Sequence, residues 1–123
     1  MRDLGAALLL AGLAAGCGHG AAAPGATPDG PVGVADATAA APGTRLLVAA
    51  RFAGWSGGCP GGPPRSRSDW MLVDDAGRCI YVSGPVPRGL APPPDTRSRG
   101  VAVTVSARRA VADDGRPYLQ LDP

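Results

Sequence analysis

The alternation of apolar and polar residues is the clearest signal in this chain. Residues 44–52 and residues 100–108 each change character at every second position, which is the side-chain period of a β-strand. The face predicted to be buried carries Leu46, Val48, Ala50 and Phe52 in the first segment, and Val101, Val103, Val105 and Ala107 in the second. We therefore predict a half-buried strand over each segment, with arginines among the outward residues.

Three further strands follow from turn residues. Residues 69–73 and 79–83 are apolar runs separated by Asp-Asp-Ala-Gly, and Gly77 supplies the positive φ that a tight hairpin needs. The sequence Asp-Asp-Gly at 113–115 predicts a second turn, which leads into a last strand over residues 118–122. The segments 54–68 and 84–100 are dense in Gly and Pro, so we predict loops there.

The order strand, long loop, hairpin, long connection, hairpin is that of an OB-fold, an all-β, five-stranded, partly open Greek-key barrel. The runs 67–70 (Arg-Ser-Asp-Trp), 79–84 (Cys-Ile-Tyr-Val-Ser-Gly) and 100–105 (Gly-Val-Ala-Val-Thr-Val) resemble small bacterial and archaeal OB-fold domains. The resemblance covers residues 44–122, although the Pro-rich segment 84–100 stands where many OB-folds carry a helix. A small open antiparallel sheet or half sandwich is the alternative architecture.

The N-terminal segment has the pattern of an export signal. Residues 4–15 carry no charge, and this run is too short to span a bilayer but suits the apolar part of a signal peptide. Residues 13–17, Leu-Ala-Ala-Gly-Cys, resemble the lipobox of bacterial lipoproteins. The resemblance implies a signal peptide over residues 1–16, acylation of Cys17 (as with palmitate) and membrane anchoring in the cell envelope. The alternative is an ordinary secretory leader, cleaved among residues 16–23, that yields a soluble periplasmic or secreted protein.

Residues 17–43 are almost wholly Ala, Gly, Pro, Thr and Asp, without sustained periodicity. Such a segment buries too little apolar surface to offset the entropy lost on ordering. We therefore predict a flexible linker over 17–43, followed by one folded domain over 44–123. The sole histidine, His19, lies in this linker without a second metal ligand nearby, which favours a solvated side chain.

The overall composition narrows the classes of function. Among 123 residues there are 19 Gly and 14 Pro, and the net charge of +2 is too small to imply a polyanionic partner. The chain has only one Phe, two Trp and two Tyr, so a single small core is expected. A core of this size profits from a covalent staple.

The three cysteines offer that staple. With Cys17 acylated, Cys59 and Cys79 remain as the one possible intramolecular pair, and they enclose about 20 residues, which corresponds to roughly 3 kcal/mol in the chain-entropy description. The alternative, a metal or redox pair, lacks a Cys-x-x-Cys spacing and a companion histidine. We predict a structural disulfide.

No set of residues in the sequence predicts catalysis. A Ser-His-Asp arrangement is excluded by the position of His19, and the adjacent aspartates at 74–75 and 113–114 are typical of solvated turns. The Gly-rich stretch 57–62 lacks the Lys and the Ser or Thr of a phosphate-binding loop. We therefore expect no enzyme activity, no cofactor and no metal.

A binding surface is easier to place. OB-folds bind ligands on the face of their second and third strands, between the loops that follow strands one and four. In this chain the resemblance places there Trp55, Arg65, Arg67, Trp70, Tyr81 and Arg108, with Arg109 and Arg116 as further candidates. Core packing of Trp70, a cross-strand pair for Tyr81 and a purely solubilising role for the arginines are the competing interpretations.

The resulting hypothesis is a membrane-anchored, non-catalytic envelope lipoprotein that binds a protein or a glycan partner. Aromatic residues among arginines also suit single-stranded nucleic acid, because bases stack on aromatic rings. A nucleic-acid-binding OB module is therefore one alternative. A structural or assembly subunit, whose exposed strand edge pairs with a partner, is the other.

Overall fold

The computed structural model describes residues 30–123, so the predicted signal peptide, Cys17 and His19 lie outside the described residues. The elements in chain order are β1 (Pro31–Val32), α1 (Val34–Ala39), β2 (Arg45–Gly54), β3 (Trp70–Val73), β4 (Cys79–Ser83), β5 (Ala102–Val111) and β6 (Pro117–Leu121). Strands β2 to β6 correspond to the five predicted strands. Within residues 30–123, no helix has the length and apolarity needed to cross a membrane.

The two long strands, β2 and β5, follow the predicted alternation. In β2, Leu46, Val48 and Phe52 are buried while Arg45 and Leu47 are exposed. In β5 the inward face is made by Val105 and Ala107, with Val103 partly buried. Val101 was expected inside but precedes the strand and is exposed, so that assignment is wrong. The strand also continues three residues beyond the predicted end, to Val111.

The strands form one sheet in the order β1-β2-β3-β4-β6-β5, and an additional pairing of β2 with β5 closes five of them into a barrel. Neighbours pair antiparallel except β4 with β6, which are parallel, and β1 with β2, also parallel. Strands β2, β3 and β4 thus form an antiparallel meander, and the connection from β4 crosses over to place β5 beside β2, as in the OB-fold Greek key. The predicted barrel is confirmed, and the open-sheet alternative is wrong.

The hairpin between β3 and β4 is closed by the side chain of Asp74. Its Oδ1 atom accepts hydrogen bonds from the backbone N–H groups of Ala76 and Arg78, at 3.0 and 2.8 Å. Gly77 has φ of +84°, a conformation that L-residues with a side chain adopt only with strain. The predicted turn is confirmed.

The barrel interior is a single apolar cluster around two rings. The centroids of Phe52 and Trp70 lie 5.2 Å apart at an interplanar angle of 43°. Trp70 is fully buried, and its Nε1–H donates to the carbonyl oxygen of Gly84 at 3.0 Å. The remaining members are Val34, Ala37, Leu46, Val48, Leu72, Ile80, Val82, Val105, Ala107 and Leu119.

Residues 30–43 are folded, so the predicted flexible linker is wrong for this part of the chain. Strand β1 pairs with β2, and α1 places Val34 and Ala37, 1% and 0% exposed, in the barrel core. Two apolar side chains three residues apart lie on one helical face, which suffices for one turn packed on a barrel. Arg109 of β5 stabilises the end of this helix by donating from Nη2 to the carbonyl oxygen of Thr38 at 3.0 Å.

Helix α1 packs on β2, β4 and β6, and so supplies a helical cover from before the first barrel strand. The Pro-rich connection, residues 84–101, contains no helix. It instead lays Val86 and Leu90 against the core and buries Ala91, whose N–H donates to Ser98 Oγ at 2.8 Å. Helix α1 and the irregular segment 84–101 therefore both cover the barrel core.

Candidate functional site

The loop between β2 and β3, residues 55–69, lies against the outer face of the barrel, and we call it the strap. Under and beside it is a second apolar cluster, separate from the barrel core. The cluster contains Ala53, Met71, Tyr81, Ala112 and Tyr118, with Cys59, Val73, Cys79 and Ala110 at its margin. The strap therefore occupies part of the β3–β4 face on which OB-folds bind their ligands.

A disulfide fixes the strap to β4. Cys59 and Cys79 are bonded, with their Cα atoms 5.2 Å apart, which confirms the predicted pair. The backbone N–H of Cys59 also donates to Met71 Sδ at 3.4 Å. A Cβ atom at Gly57 would lie 2.9 Å from Met71 Cβ, so only glycine allows the strap to come this close to β3. A disulfide of this kind indicates an oxidising, exported environment.

Arg116, in the turn between β5 and β6, also holds the strap by hydrogen bonds. Its Nη1 and Nη2 atoms donate to the carbonyl oxygens of Pro60 and Gly62, both at 2.9 Å. Its Nε donates to Asp114 Oδ2 at 2.7 Å, and this hydrogen bond lowers the pKa of Asp114. One guanidinium thus joins the two loops that frame an OB-fold binding face.

Asp69 organises the base of the strap. Its side chain is buried, with 1% of the residue exposed. The Oδ2 atom accepts hydrogen bonds from the backbone N–H groups of Arg65 and Ser66, at 2.7 and 2.9 Å. The Oδ1 atom is also buried and has no hydrogen-bond partner among residues 30–123. A buried acceptor without a partner is costly, and a ligand that donates to it would recover that cost.

Between the strap and the sheet lies a cleft of about 390 Å³, which we call the strap cleft. It is lined by Trp55, Pro63, Arg67, Asp69, Met71 and Tyr81. Trp55 is 49% exposed, so one of the largest apolar surfaces of the protein stands open at this cleft. Aromatic and thioether walls with a few polar groups are typical of ligand sites.

The structure brings together three of the six predicted binding residues, namely Trp55, Arg67 and Tyr81. Arg65 is in the strap but contributes a backbone N–H to Asp69, and its side chain does not line the cleft. Trp70 is in the barrel core, so its prediction as a binding residue is wrong. Its ring faces inward because it begins β3 on the face shared with Leu72.

Arg108 is also outside the cleft. It lies on β5 opposite Arg45 of β2 and Gln120 of β6, and it is exposed there. Arg109 is committed to α1, and burial lowers the pKa of its guanidinium. The strap cleft therefore takes its positive charge from Arg67.

Sequence reasoning missed Pro63, Asp69 and Met71. Asp69 was interpreted as the first residue of a strand, although the run Arg-Ser-Arg-Ser-Asp before an apolar segment is a signal for a side chain that hydrogen-bonds local backbone. Met71 lies in the apolar run of the predicted strand 69–73, and nothing in that run marks it as a cleft residue. Only the fold reveals that its side chain faces the strap.

Another ionic contact is at the turn between β3 and β4. Asp74 pairs with Arg78 at 2.7 Å, and the hydrogen bond from Arg78 lowers the pKa of Asp74. Among the residues that the structure describes, no three His, Cys, Asp or Glu side chains are grouped as metal ligands would be. The strap cleft is thus the described site with the most distinctive chemistry.

Fold and site together define a small OB-fold-like barrel whose β3–β4 face carries its own covalently fixed strap. Comparison of the chain with protein-family models, with curated proteins and with solved structures gives no match.

Proposed function

We propose that this protein is an exported, non-catalytic binding module of the cell envelope, anchored by a lipid at Cys17, and that it binds a glycan in the strap cleft. The observation that carries the proposal is that one cleft is lined by a half-exposed Trp55 and by Asp69, whose buried Oδ1 atom has no hydrogen-bond partner among the described residues. The disulfide supports the proposed export from the cytoplasm, and the lipobox-like sequence supports the lipid anchor at Cys17.

A neutral sugar matches the polar groups of the cleft. Arg67 offers donors, and neither a hydrogen bond nor an ion pair occupies its side chain among the described residues. Asp69 offers an acceptor. A cationic ligand is disfavoured by Arg67, and an anionic ligand is disfavoured by Asp69. A sugar hydroxyl both donates and accepts, while its C–H face packs on an aromatic ring such as Trp55.

Binding rather than hydrolysis is favoured by the number of carboxylates. Glycoside hydrolysis usually takes two carboxyl groups flanking the scissile bond. Asp69 is the single acidic residue among those that line the cleft. Its Oδ2 atom is already engaged by two backbone N–H groups. A protein partner is the second candidate, since Trp55 and Met71 give the cleft an apolar lining for one of its side chains.

The proposal is tested by calorimetric titration of the full-length protein in a detergent without a sugar headgroup. The probes are chitotetraose and maltotetraose as neutral oligosaccharides, and oligothymidylate at two salt concentrations. We expect one of the neutral oligosaccharides to bind. Asp69→Asn, which replaces the acceptor by an amide, and Trp55→Ala should each weaken that binding about tenfold or more, since 1.4 kcal/mol corresponds to tenfold.

The matched control is Val111→Ala, because Val111 is as exposed as Trp55 but lies outside the cleft. Loss of binding in this variant as well, or no heat with either oligosaccharide, contradicts the glycan proposal. Binding of oligothymidylate that falls steeply with salt would instead support the nucleic-acid alternative, since counterion release accompanies phosphate contacts.

A further inference from the structure

The net charge of the described part of the chain is concentrated on two loops. Residues 30–123 contain eleven arginines and eight aspartates, without Lys or Glu, which gives a formal charge of +3. The strap and the Pro-rich connection hold five of these arginines and two of the aspartates, so their formal charge is also +3. The six arginines and six aspartates elsewhere cancel. The two loops therefore carry the whole excess of positive charge.

The arginines of these loops have few acidic partners. Four exposed side chains make neither a hydrogen bond nor an ion pair within residues 30–123, namely Arg65, Arg67, Arg88 and Arg99. Arg97 pairs with Asp95 at 3.1 Å, and the other aspartate of the two loops, Asp69, is buried. Like charges on neighbouring loops repel one another, so an anionic ligand bound between them would remove an unfavourable interaction.

The two loops meet at both ends of the strap. Gly54 directly precedes the strap, and a Cβ atom there would lie 3.4 Å from Pro93 Cγ of the connection. Trp70 directly follows the strap, and its Nε1–H donates to the carbonyl oxygen of Gly84 at 3.0 Å. The first and last residues of the strap both line the strap cleft. A ligand that extends out of the cleft therefore has the connection beside it.

The cleft itself restricts which part of an anionic ligand can enter it. Asp69 is the acidic residue of the lining, and its carboxylate repels an anionic group placed beside it. The unit of the ligand that faces Asp69 is therefore uncharged. The anionic groups then lie on the neighbouring units, outside the cleft, where the arginines of the two loops are exposed. A polymer that alternates uncharged and acidic units meets both conditions.

We propose that the ligand of the strap cleft is an acidic glycan in which uncharged sugars alternate with sugars that carry a carboxylate. An uncharged sugar packs on Trp55 and faces Asp69. The acidic sugars on either side pair with arginines of the strap and the connection, since a guanidinium presents parallel donors that match the two carboxylate oxygens. This inference rests on the proposed function, because it specifies the glycan that the cleft binds.

A nucleic acid meets these conditions less well than such a glycan. Each nucleotide carries a phosphate, so a strand of nucleic acid brings an anionic group at every repeat, including the one beside Asp69. The glycan leaves that position uncharged. Oligothymidylate is therefore the competing ligand in the test, and tight binding of it would count against the inference.

The inference is tested by calorimetric titration of the full-length protein in a nonionic detergent without a sugar headgroup. Chitotetraose consists of N-acetylglucosamine, whereas hyaluronan tetrasaccharide of the same length has glucuronate at every second sugar. At about 0.1 M salt we expect hyaluronan to bind at least about threefold more tightly, since exposed ion pairs are individually weak. This advantage should disappear at about 1 M salt, where the Debye length falls from about 10 Å to about 3 Å.

Two further comparisons locate the charges. Tetragalacturonate, in which every sugar is acidic, should bind more weakly than hyaluronan, because one of its carboxylates faces Asp69. The triple variant Arg65→Gln/Arg88→Gln/Arg99→Gln should bind hyaluronan no more tightly than chitotetraose. It leaves Arg67, which lines the cleft, in place.

The matched control is a second triple variant, Arg45→Gln/Arg78→Gln/Arg108→Gln. It removes the same charge from three exposed positions outside the two loops. The preference for hyaluronan over chitotetraose should persist in this variant. An equal loss of preference in both triple variants would mean that overall charge, and not the two loops, selects the ligand, and would overturn the inference.

The titrations also separate this inference from the proposed function. Binding of chitotetraose or maltotetraose without any gain for hyaluronan would overturn the acidic glycan and leave the proposed function in place. No heat with any of the oligosaccharides would contradict both. Oligothymidylate bound as tightly as hyaluronan would assign the two loops to nucleic acid.

Discussion

At the scale of single residues, Arg116 illustrates how one side chain joins distant parts of the sequence. Its guanidinium contacts two carbonyl groups of the strap and the carboxylate of Asp114. A Cβ atom at Gly61 would lie 2.6 Å from Arg116 Nη1, so the strap backbone passes directly over the guanidinium because residue 61 is glycine. The geometry of the strap therefore depends on a charge that Asp114 orients.

The pKa of Asp114 should report this contact. Its carboxylate has a lowered pKa in the folded protein because Arg116 donates to it, so the carboxylate form stabilises the fold above the unfolded pKa of about 4. That contribution is lost as pH falls through the lower, folded pKa. We expect Arg116→Gln to raise the pKa of Asp114 in an NMR titration, while the backbone N–H of residue 116, which donates to Asp114 Oδ1, keeps part of the lowering.

Asp74 is the internal control for this titration, because its pKa is lowered by a different arginine, Arg78. It should remain lowered in Arg116→Gln. An Asp114 pKa that does not change in this variant would mean that Arg116 does not hold the carboxylate.

Residue roles were predictable from the sequence only where the chemistry is local. The Asp74 turn was predictable because its donors lie within four residues. Trp55 and Arg67 were predictable as surface candidates because they stand in a Gly- and Pro-rich loop. Asp69 and Met71 were not, since their neighbours in the cleft are determined by the path of the strap, which no periodicity encodes.

At the scale of secondary-structure elements, α1 is the main departure from the sequence-based prediction. Strands β2 and β5 each carry several alternating apolar residues, so their pattern is unambiguous. Helix α1 has six residues and buries only Val34 and Ala37. Such a short helix has little stability of its own, and packing on the barrel stabilises it. A composition of Ala, Thr and Asp gives no sign of this packing.

A pair of substitutions distinguishes a packed helix from a flexible linker. Ala37→Asp places an unpaired carboxylate in the core and should lower the free energy of unfolding by about 3 kcal/mol or more. Ala35→Asp, on the exposed side of the same helix, should change it by less than about 0.5 kcal/mol. Urea denaturation of the full-length variants measures both values.

Equal effects of the two substitutions would contradict the helix packing. If Ala37→Asp left the free energy of unfolding unchanged, residues 30–43 would be part of the flexible linker, as the sequence predicted.

At the scale of the whole molecule, the protein is a small barrel stabilised by two additions, a disulfide and the N-terminal elements β1 and α1. The disulfide links positions 20 apart in sequence, and such a loop closure contributes about 3 kcal/mol by restricting the unfolded chain. Helix α1 and β1 extend the barrel on its N-terminal side. Both additions compensate for a core with few aromatic residues.

The intact mass of the full-length protein, expressed in a bacterial host and alkylated without reduction, tests the proposed address. We expect a membrane-associated chain that begins at Cys17, carries added acyl mass and takes up no alkylating reagent. The last result follows if Cys59 and Cys79 are bonded and Cys17 is acylated. A soluble, uncleaved chain with free thiols would contradict both the anchor and the oxidising environment.

The overall topology was predictable because five strands in this chain order match the OB-fold Greek key, although an open sheet was also compatible with the alternation. The register between β4 and β6 was not predictable from the sequence, since only two residue pairs join these strands. The partial pairing of β5 likewise follows from where β6 ends in space. Sequence patterns indicate which residues form strands, but not over how many residues each strand pairs with its neighbours.

The disulfide also makes residues 59–79 a closed covalent ring that contains most of the strap and all of β3. Arg65 and Arg67 are exposed within this ring, in a segment where a trypsin-like protease finds accessible bonds. A cut after either arginine opens the ring without separating the molecule into two pieces, because Cys59 and Cys79 still hold the ends together. The protein can thus be nicked at the mouth of its own cleft and remain one covalent molecule until a reductant reaches it.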